Sequence, residues 1–342
     1  MRPHLAPPAR VGTVAAPRPS FSVVIAAYQA AATVAEAVES ALGQTQPPVE
    51  VVVCDDGSTD GTGAALAPYR SRIVYIRQEN RGEGAARNAA AQQANGDFLA
   101  FLDADDVYLP DRLDALAELA GARPDLDVLT TDALLESGGA VLRRCYDPSW
   151  PFAVDDQRRA ILQRNFVLAH AAVRRERFLA AGGFDESTRY AVDWDLWLRL
   201  VLDGAQVGLV CEPLSRYRLT AGSLSSQRAA LLAGRVRVIE KALARGDLSP
   251  TERAAAGAAL AAQRRALARS AAREALASGS PDARRLALAV ALGRAQGPAT
   301  RLKALAAAIS PGAASRLVRA QPVETTAGLA GDREQLRGAL ER

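Results

Sequence analysis

Short apolar runs alternate with helical segments through the first third of the chain, and this alternation restricts the possible folds more than any other feature. Such runs are typical of strands with both faces buried. Because helical segments separate the runs, the connections are crossover units and the strands pair largely in parallel. The predicted strands are residues 21–27, 49–54, 72–76 and 97–102. The sequence therefore predicts an α/β fold with a mostly parallel sheet flanked by helices.

Outside these strands the local signals are of unequal strength. Thr33 and Glu36 have the spacing of a capping box that opens a helix after the first strand. Further strands are expected at 126–130 and 206–211 and a helix at 194–202, whereas most of 132–192 shows no clear periodicity.

Polar clusters follow three of the predicted strands directly. They are 27–28, 55–56 and 103–106. In open parallel sheets, ligands bind beyond the carboxyl ends of the strands. The three polar clusters are therefore expected to meet at one edge of the sheet and to form a ligand site there.

Asp103, Asp105 and Asp106 place three carboxylates within four residues. They repel one another unless a cation lies among them, and hard oxygen ligands favour Mg²⁺ or Mn²⁺, which leave coordination positions for substrate phosphates. The alternative is a solvated loop whose aspartates cap the next helix. The position of these aspartates directly after a buried strand favours the metal site.

Two further loops have both an ordinary and a functional interpretation. An aspartate in the turn at 55–60 could bind a nucleobase N–H, or the turn could simply precede a helix. The glycines in 80–88 lie before a helix N-terminus, which suits a pyrophosphate or ribose, but they do not fit the dinucleotide-binding fingerprint.

In combination, these loops indicate a protein family more specifically than any one of them does alone. The segments 22–29, 51–60, 80–88 and 101–106, followed by 182–186 and 192–197, resemble family 2 of the glycosyltransferases. The resemblance covers about residues 20–226. It implies the GT-A fold, a Rossmann-like, mostly parallel sheet flanked by helices, with an appended C-terminal α-helical region that the resemblance does not cover.

The resemblance also implies roles on the donor side. Asp56 would bind the nucleobase, Arg87 would lie near the nucleoside or diphosphate, and Asp103 would meet the ribose or the sugar. Asp105 would ligate Mn²⁺ or Mg²⁺, with Asp103 a possible second ligand. The residues expected to bind the donor are Ala27, Tyr28, Asp56, Gly82, Arg87, Asp103 and Ala104.

On the acceptor side, Asp193 matches the family's catalytic base, although it could also cap the following helix. Trp194 would shape the acceptor site. Tyr190 could stack on a sugar or pack in the core, and His170 could contact the acceptor or be structural.

The implied reaction is an inverting single displacement from a nucleoside-diphosphate sugar, by default a UDP-sugar, to an acceptor hydroxyl. The acceptor would be a glycan, a lipid-linked glycan or a small molecule, in cell-envelope polysaccharide or glycoconjugate synthesis, and no nucleic acid partner is expected. Thr220 stands where the family often has a histidine, which leaves Arg218 as the candidate phosphate ligand in that loop.

The sequence leaves two alternative functions to compare with this one. A nucleotidyltransferase would need a glycine-rich, basic phosphate loop directly after the first strand, where this chain has alanines at 26–27 and 30–32. A catalytically degenerate nucleotide-sugar-binding module would not need Asp56, Asp103, Asp105 and Asp193 all in place.

The predicted organisation is a disordered arm at 1–19, a catalytic domain at 20–226, a helical region at 227–323 and a tail at 324–342. The segment 227–342 has 20 basic and 9 acidic residues. Its arginines could contact anionic lipid headgroups or simply solvate alanine-rich helices. Without a signal-peptide-like or membrane-spanning apolar stretch, the expected location is the cytoplasm, and a peripheral position at the inner face of the membrane is the alternative.

Overall fold

The computed structural model describes residues 18–147, 150–219, 227–293 and 296–319 of the 342. The first part of the sheet has the expected parallel order β3-β2-β1-β4. These strands are β1 (Phe21–Ala27), β2 (Glu50–Asp55), β3 (Val74–Arg77) and β4 (Phe98–Asp103). Their carboxyl ends share one edge, as the sequence predicts.

Beyond β4 the sheet becomes mixed, and its order continues β4-β8-β6-β9-β5, with β7 paired to β6. The strands are β5 (Val107–Tyr108), β6 (Val128–Ser137), β7 (Ala140–Arg144), β8 (Ala172–Arg174) and β9 (Val207–Arg218). β8 runs antiparallel to both β4 and β6, whereas β9 is parallel to β6. The α/β fold is confirmed, and the largely parallel pairing holds for the part that ends in the polar clusters.

Helices cover both faces of the sheet. They are α1 (Val34–Leu42), α2 (Thr62–Ala65), α3 (Glu83–Gln93), α4 (Arg112–Ala122), α5 (Gln157–Gln163), α6 (Arg175–Ala180) and α7 (Val192–Leu202). Val24 and Val52 belong to the core that contains α3 and α7, while Val23 and Val51 belong to the core that contains α1 and α4. Alternate side chains thus fill two cores, which explains why these strands are apolar throughout.

The predicted capping box of α1 does not form. Thr33 occupies the N-cap position without a side-chain hydrogen bond to the helix. Glu36 instead accepts a hydrogen bond from the Arg218 guanidinium at 2.6 Å. A long-range ion pair therefore takes the carboxylate that local spacing assigns to the cap.

The C-terminal helical region is present and packs against the sheet domain. It consists of α8 (Arg228–Leu243), α9 (Pro250–Ser278), α10 (Ala283–Leu292), α11 (Pro298–Ile309) and α12 (Pro311–Arg319). Val238 and Ile239 of α8 lie in the same core as α7. The Arg158–Glu252 ion pair, 2.7 Å between Nε and Oε1, joins α5 to α9.

Several boundaries in the predicted organisation fall outside the described residues. These are most of the arm, 1–17, the junction at 220–226, which includes Thr220, and the tail from 320 onward. In the part of the chain that the structure does describe, no helix combines the length and the apolar character needed to cross a membrane.

Gly96→Ala is expected to destabilise the fold at the start of β4. A Cβ at this position would lie 2.7 Å from the carbonyl carbon of Phe21 and 2.5 Å from the Ser22 nitrogen, so β1 would have to shift. Overpacking of this kind costs about 1–3 kcal/mol, measurable by urea denaturation.

Gly121→Ala in α4 is the matched control, because a Cβ there meets nothing within 4 Å. An alanine in a helix is favoured over glycine by about 0.5–1 kcal/mol. Equal unfolding free energies for the two variants would contradict the close approach of β1 to Gly96.

Candidate active site

A cleft of about 740 Å³ lies at the carboxyl ends of β1, β2 and β4 and extends to α7, α8 and α9. It brings together nearly all the residues that the sequence singles out. The predicted residues that line it are Ala27, Tyr28, Asp56, Gly82, Arg87, Asp103, Ala104, Asp105, Tyr190, Asp193 and Trp194. The folded chain therefore brings these residues together at one edge of the sheet, as the strand topology predicts.

Asp56 organises the loop that precedes α3. Its carboxylate accepts hydrogen bonds from the Gln78 amide at 2.7 Å, the Arg81 backbone N–H at 2.9 Å and the Gly82 backbone N–H at 2.8 Å. Gly82 has a φ of 93°, which favours glycine. The neighbouring Asp55 is fully buried and accepts from Tyr75 and the Ser58 N–H. Of the two aspartates, only Asp56 faces the cleft.

Ala27 and Tyr28 form the wall beside Asp56. The Ala27 carbonyl accepts the Asp56 backbone N–H at 2.8 Å, which holds the ends of β1 and β2 together. Tyr28 is about half exposed at the rim of the cleft. Both residues lie where the nucleobase pocket is predicted.

Arg87 lies at the centre of the acidic part of the cleft. Its guanidinium is 1% exposed, lies 2.5 Å from the Glu83 carboxylate and also donates to Asp103. Burial disfavours the ionised form of Asp103, but the attraction of Arg87 outweighs it and holds the pKa of Asp103 below its usual value. Asp103 is therefore an ionised carboxylate at neutral pH.

His170 lies behind the acidic loop. It is 1% exposed, its Nε2 lies 2.5 Å from Asp106 Oδ2, and its Nδ1 lies 3.2 Å from the Ser215 hydroxyl. Asp106 is also buried, and it accepts the Arg218 backbone N–H at 2.7 Å. This position is at odds with an acceptor contact for His170, because its ring is enclosed between β5 and β9 and does not line the cleft.

The acidic loop offers suitable ligands for a divalent ion. Ligand atoms of Asp103, Asp106 and His170 lie within 4.8 Å of one another. Asp106 is buried and hydrogen-bonded to His170, and it lines the cleft together with Asp103 and Asp105. Carboxylate oxygens are the ligands that Mg²⁺ and Mn²⁺ prefer. The residues present therefore fit a divalent cation, which Asp103 and Asp105 would hold at the cleft.

Asp193 faces the acidic loop from the first turn of α7. Its Oδ2 accepts a hydrogen bond from the Asn165 amide at 2.9 Å. Burial raises the pKa of Asp193, an effect that the Trp194 backbone N–H, Arg87 and Arg235 partly oppose. Ala191, which precedes the helix, has a left-handed φ of 58°, unusual for a residue other than glycine. The cap position is thus Ala191, and the Asp193 carboxylate is directed into the cleft.

Tyr190 and Trp194 flank Asp193 in different environments. The Tyr190 hydroxyl donates to Gln227 Oε1 at 2.6 Å, which ties the loop to the start of α8. Trp194 is 2% exposed, and its indole N–H donates to the Ile161 carbonyl at 2.8 Å. Trp194 therefore shapes the cleft from within the core rather than by presenting an open ring.

Three cleft residues were not identified from the sequence. Asn165 orients Asp193 from a segment without periodicity, and Arg235 and Gln263 reach the cleft from α8 and α9. A polar residue at 263 within an alanine-rich helix is a weak signal. No local pattern indicates that these helices pack against α7.

Known proteins are similar to this chain in sequence. The family model described as Glycosyl transferase family 2 matches residues 22–176. The putative teichuronic acid biosynthesis glycosyltransferase TuaG of Bacillus subtilis is 30% identical over 216 residues, 62% of this chain and 83% of TuaG. The chain belongs to glycosyltransferase family 2. This membership favours a glycosyltransferase over the nucleotidyltransferase alternative.

Solved structures confirm the GT-A fold across both parts of the chain. S. aureus TarS 1–349 in complex with UDP-GlcNAc aligns with a TM-score of 0.58 at 19% identity, over 88% of this chain and 90% of that chain. Mannosyltransferase PcManGT from Pyrobaculum calidifontis, in complex with GDP-Man and Mn²⁺, aligns with a TM-score of 0.57 at 23% identity, over 93% and 87%. For several other curated relatives the match covers less than two thirds of their length, and for one only 26%.

Glu83→Gln is expected to flatten the dependence of stability on pH. Burial raises the pKa of Glu83 to about 7, whereas an unfolded glutamate titrates near about 4.3. Between these values the folded chain keeps a proton that the unfolded chain has lost, so stability falls as pH rises. The fall in melting temperature from about pH 5 to about pH 8 should be smaller in the variant.

Differential scanning fluorimetry in metal-free buffer measures this fall. Glu79→Gln, at an exposed position in the same loop, is the control and should behave as the wild type. An unchanged pH dependence in Glu83→Gln would show that Glu83 is not part of the buried charge cluster.

Proposed function

We propose that this chain transfers a sugar from a nucleoside-diphosphate sugar, with a UDP-sugar as the first candidate, to an acceptor hydroxyl with inversion at the anomeric carbon. The observation that carries the proposal is the position of Asp193. It is directed into the same cleft as Asp56, Asp103 and Asp105. A base on one side and a diphosphate site on the other are what a single displacement requires.

Donor recognition is assigned to the loops after β1, β2 and β4. Asp56 accepts three hydrogen bonds within the protein, and its two oxygens together offer about four acceptor sites, which leaves room for a nucleobase N–H. The UDP-GlcNAc of TarS and the GDP-Man of PcManGT are nucleoside-diphosphate sugars bound by the same fold. These observations support a nucleoside-diphosphate sugar as the donor. A donor screen would identify the nucleobase.

Asp105 and Asp103 would hold Mn²⁺ or Mg²⁺. The bound ion would act as a Lewis acid that stabilises negative charge on the departing diphosphate. Arg87 keeps Asp103 ionised and adds a fixed positive charge beside the same site. The Mn²⁺ in PcManGT supports this choice of ion.

Asp193 would remove the proton of the attacking hydroxyl. Asn165 donates to Oδ2 and so helps to orient the carboxylate at the cleft. The raised pKa of Asp193 makes the carboxylate a stronger base than a solvated aspartate. The teichuronic acid assignment of TuaG supports an acceptor in cell-envelope polysaccharide synthesis.

Asp193→Asn is expected to lower kcat by about 10²–10⁴-fold, because the amide cannot accept the proton. Nucleotide binding should be unchanged, since Asp193 lies across the cleft from Asp56. Release of nucleoside diphosphate measures kcat, and calorimetric titration with UDP and Mn²⁺ measures binding.

Asp195→Asn, two residues along α7, is the matched control. Asp195 is paired to Arg199 and Lys241 and does not line the cleft, so its loss should affect stability rather than kcat. Wild-type transfer by Asp193→Asn would remove Asp193 from the mechanism.

Asp105→Ala is expected to abolish the extra thermal stabilisation that Mn²⁺ gives to the nucleotide complex. A ligand at about 100 times its Kd stabilises the folded chain by about 2.7 kcal/mol, which a melting-temperature screen of UDP, GDP and TDP detects. Asp111→Ala, an exposed aspartate after the same loop, is the control. Full Mn²⁺-dependent stabilisation of Asp105→Ala would contradict the metal assignment.

We further propose that α10 and α11 contact an anionic membrane surface. Both helices expose large aliphatic side chains, with Leu292 67% and Ile309 74% exposed. Residues 283–319 contain seven arginines and lysines and no acidic residue. Aliphatic groups and positive charge together suit a membrane interface. A second copy of this chain is disfavoured as the partner of this surface, because like charges would face each other.

The double variant Leu292→Gln with Ile309→Gln is expected to lose most binding to phosphatidylglycerol vesicles in a sedimentation assay. Binding of the wild type should fall with added salt, since screening weakens the attraction. Val154→Gln is the control, because Val154 is 77% exposed on the sheet domain. Equal binding to neutral phosphatidylcholine vesicles, or no loss in the double variant, would contradict the proposal.

A further inference from the structure

The charges that line the cleft are unevenly distributed. On the donor side the cations Arg87 and Arg218 are paired with carboxylates. Arg235 of α8 also lines the cleft, but within the described ranges no carboxylate lies within ion-pair distance of it. Its charge acts on Asp193, whose pKa it lowers against the larger effect of burial. A cation therefore lies beside the proposed base without a partner of its own.

Arg235 is held in place by an unusually close packing contact. A Cβ on the preceding residue, Gly234, would lie 2.7 Å from the Tyr190 carbonyl oxygen and 2.8 Å from the Tyr190 Cβ. The hydrogen bond from the Tyr190 hydroxyl to Gln227 fixes the start of the same helix. The backbone of α8 is thus packed directly on the loop that leads to Asp193, which gives the Arg235 side chain a defined origin at the acceptor side.

Gln263 of α9 is a second polar group in this wall. It is 4% exposed and lines the cleft, and its Oε1 is buried without a hydrogen bond to any other described residue. Buried side-chain oxygens are nearly always hydrogen-bonded, so this unpaired acceptor in a cleft indicates a ligand group, such as a hydroxyl, that donates a hydrogen bond to it. An amide can both donate to an anion and accept from a neighbouring hydroxyl.

We infer that Arg235 and Gln263 form an acceptor subsite for an anionic group, a carboxylate or a phosphate, carried close to the attacking hydroxyl. The inference rests on the proposed function for the meaning of "acceptor", since the subsite lies beside Asp193. Guanidinium binds both anions through charge-assisted hydrogen bonds. An acidic sugar and a phosphate-bearing carrier are the two sources of such a group.

The test measures binding of small probes by ligand-observed NMR. D-glucuronate is compared with D-glucose, and glycerol 3-phosphate with glycerol, so that each pair differs in charge. The proteins are the wild type, Arg235→Gln, Arg235→Lys and Gln263→Leu. Arg237→Gln is the control, because Arg237 is exposed on the same helix and does not line the cleft.

Arg235→Gln should weaken the anionic probe that the wild type binds by about tenfold to a hundredfold, the usual range for a hydrogen bond to a charged group. Arg235→Lys should restore part of the affinity, and neutral probes should show no difference among the variants. Preference for glucuronate would indicate an acidic sugar, and preference for glycerol 3-phosphate would indicate a phosphate carrier.

Every titration is run without nucleotide and again with UDP and Mn²⁺. The loss of probe affinity in Arg235→Gln, measured without nucleotide, does not depend on donor binding. If the protein fails to bind nucleotide, the proposed function fails, and the test of the anion subsite is unaffected. Three results would overturn the inference: no anionic probe binds the wild type, Arg237→Gln loses as much affinity as Arg235→Gln, or Arg235→Gln changes only the pH profile of transfer and leaves probe affinity intact.

Discussion

The attraction between the buried Arg87 guanidinium and the carboxylates around it is the interaction on which the cleft depends. Glu83 and Asp103 both contact Arg87, and the charges of Asp105 and Asp193 act on the same region. Without a buried cation, burial and mutual repulsion would raise the pKa values of these carboxylates together. Arg87 lets Asp103 remain ionised, while Glu83, although paired with the same cation, has its pKa raised to about 7.

Much of the proposed donor side could be predicted because Ala27, Asp56 and Asp103 lie at the ends of buried strands. The position of Asp56 and Asp103 is a direct consequence of parallel pairing among β2, β1 and β4, which apolar runs reveal. The sequence could not show how far β6 and β9 extend. They were expected at 126–130 and 206–211, but they end at Ser137 and Arg218, because pairing with each other continues where their sequences lose the apolar pattern.

The acceptor side was harder to predict because its residues depend on contacts between distant segments. Asn165 meets Asp193 only because α5 packs on α7, and His170 is buried because β5 and β9 enclose its ring. The Thr33–Glu36 spacing shows the same limit, since Arg218, far along the chain, takes the glutamate. The family resemblance assigns eleven residues to the donor, the base or the acceptor, not counting the metal ligand Asp105. Ten of these line one cleft, and His170 is the exception.

The close packing of α8 on the Tyr190 loop has a consequence for how this enzyme could diversify. The backbone at Gly234 touches Tyr190, three residues before the proposed base, whereas Asp56 on the proposed donor side is hydrogen-bonded to Arg81 and Gly82 of its own loop region. Small changes in the length or tilt of α8 would therefore reshape one wall of the cleft and leave the opposite wall unaltered. Donor use and acceptor use can then evolve as nearly independent properties of one chain.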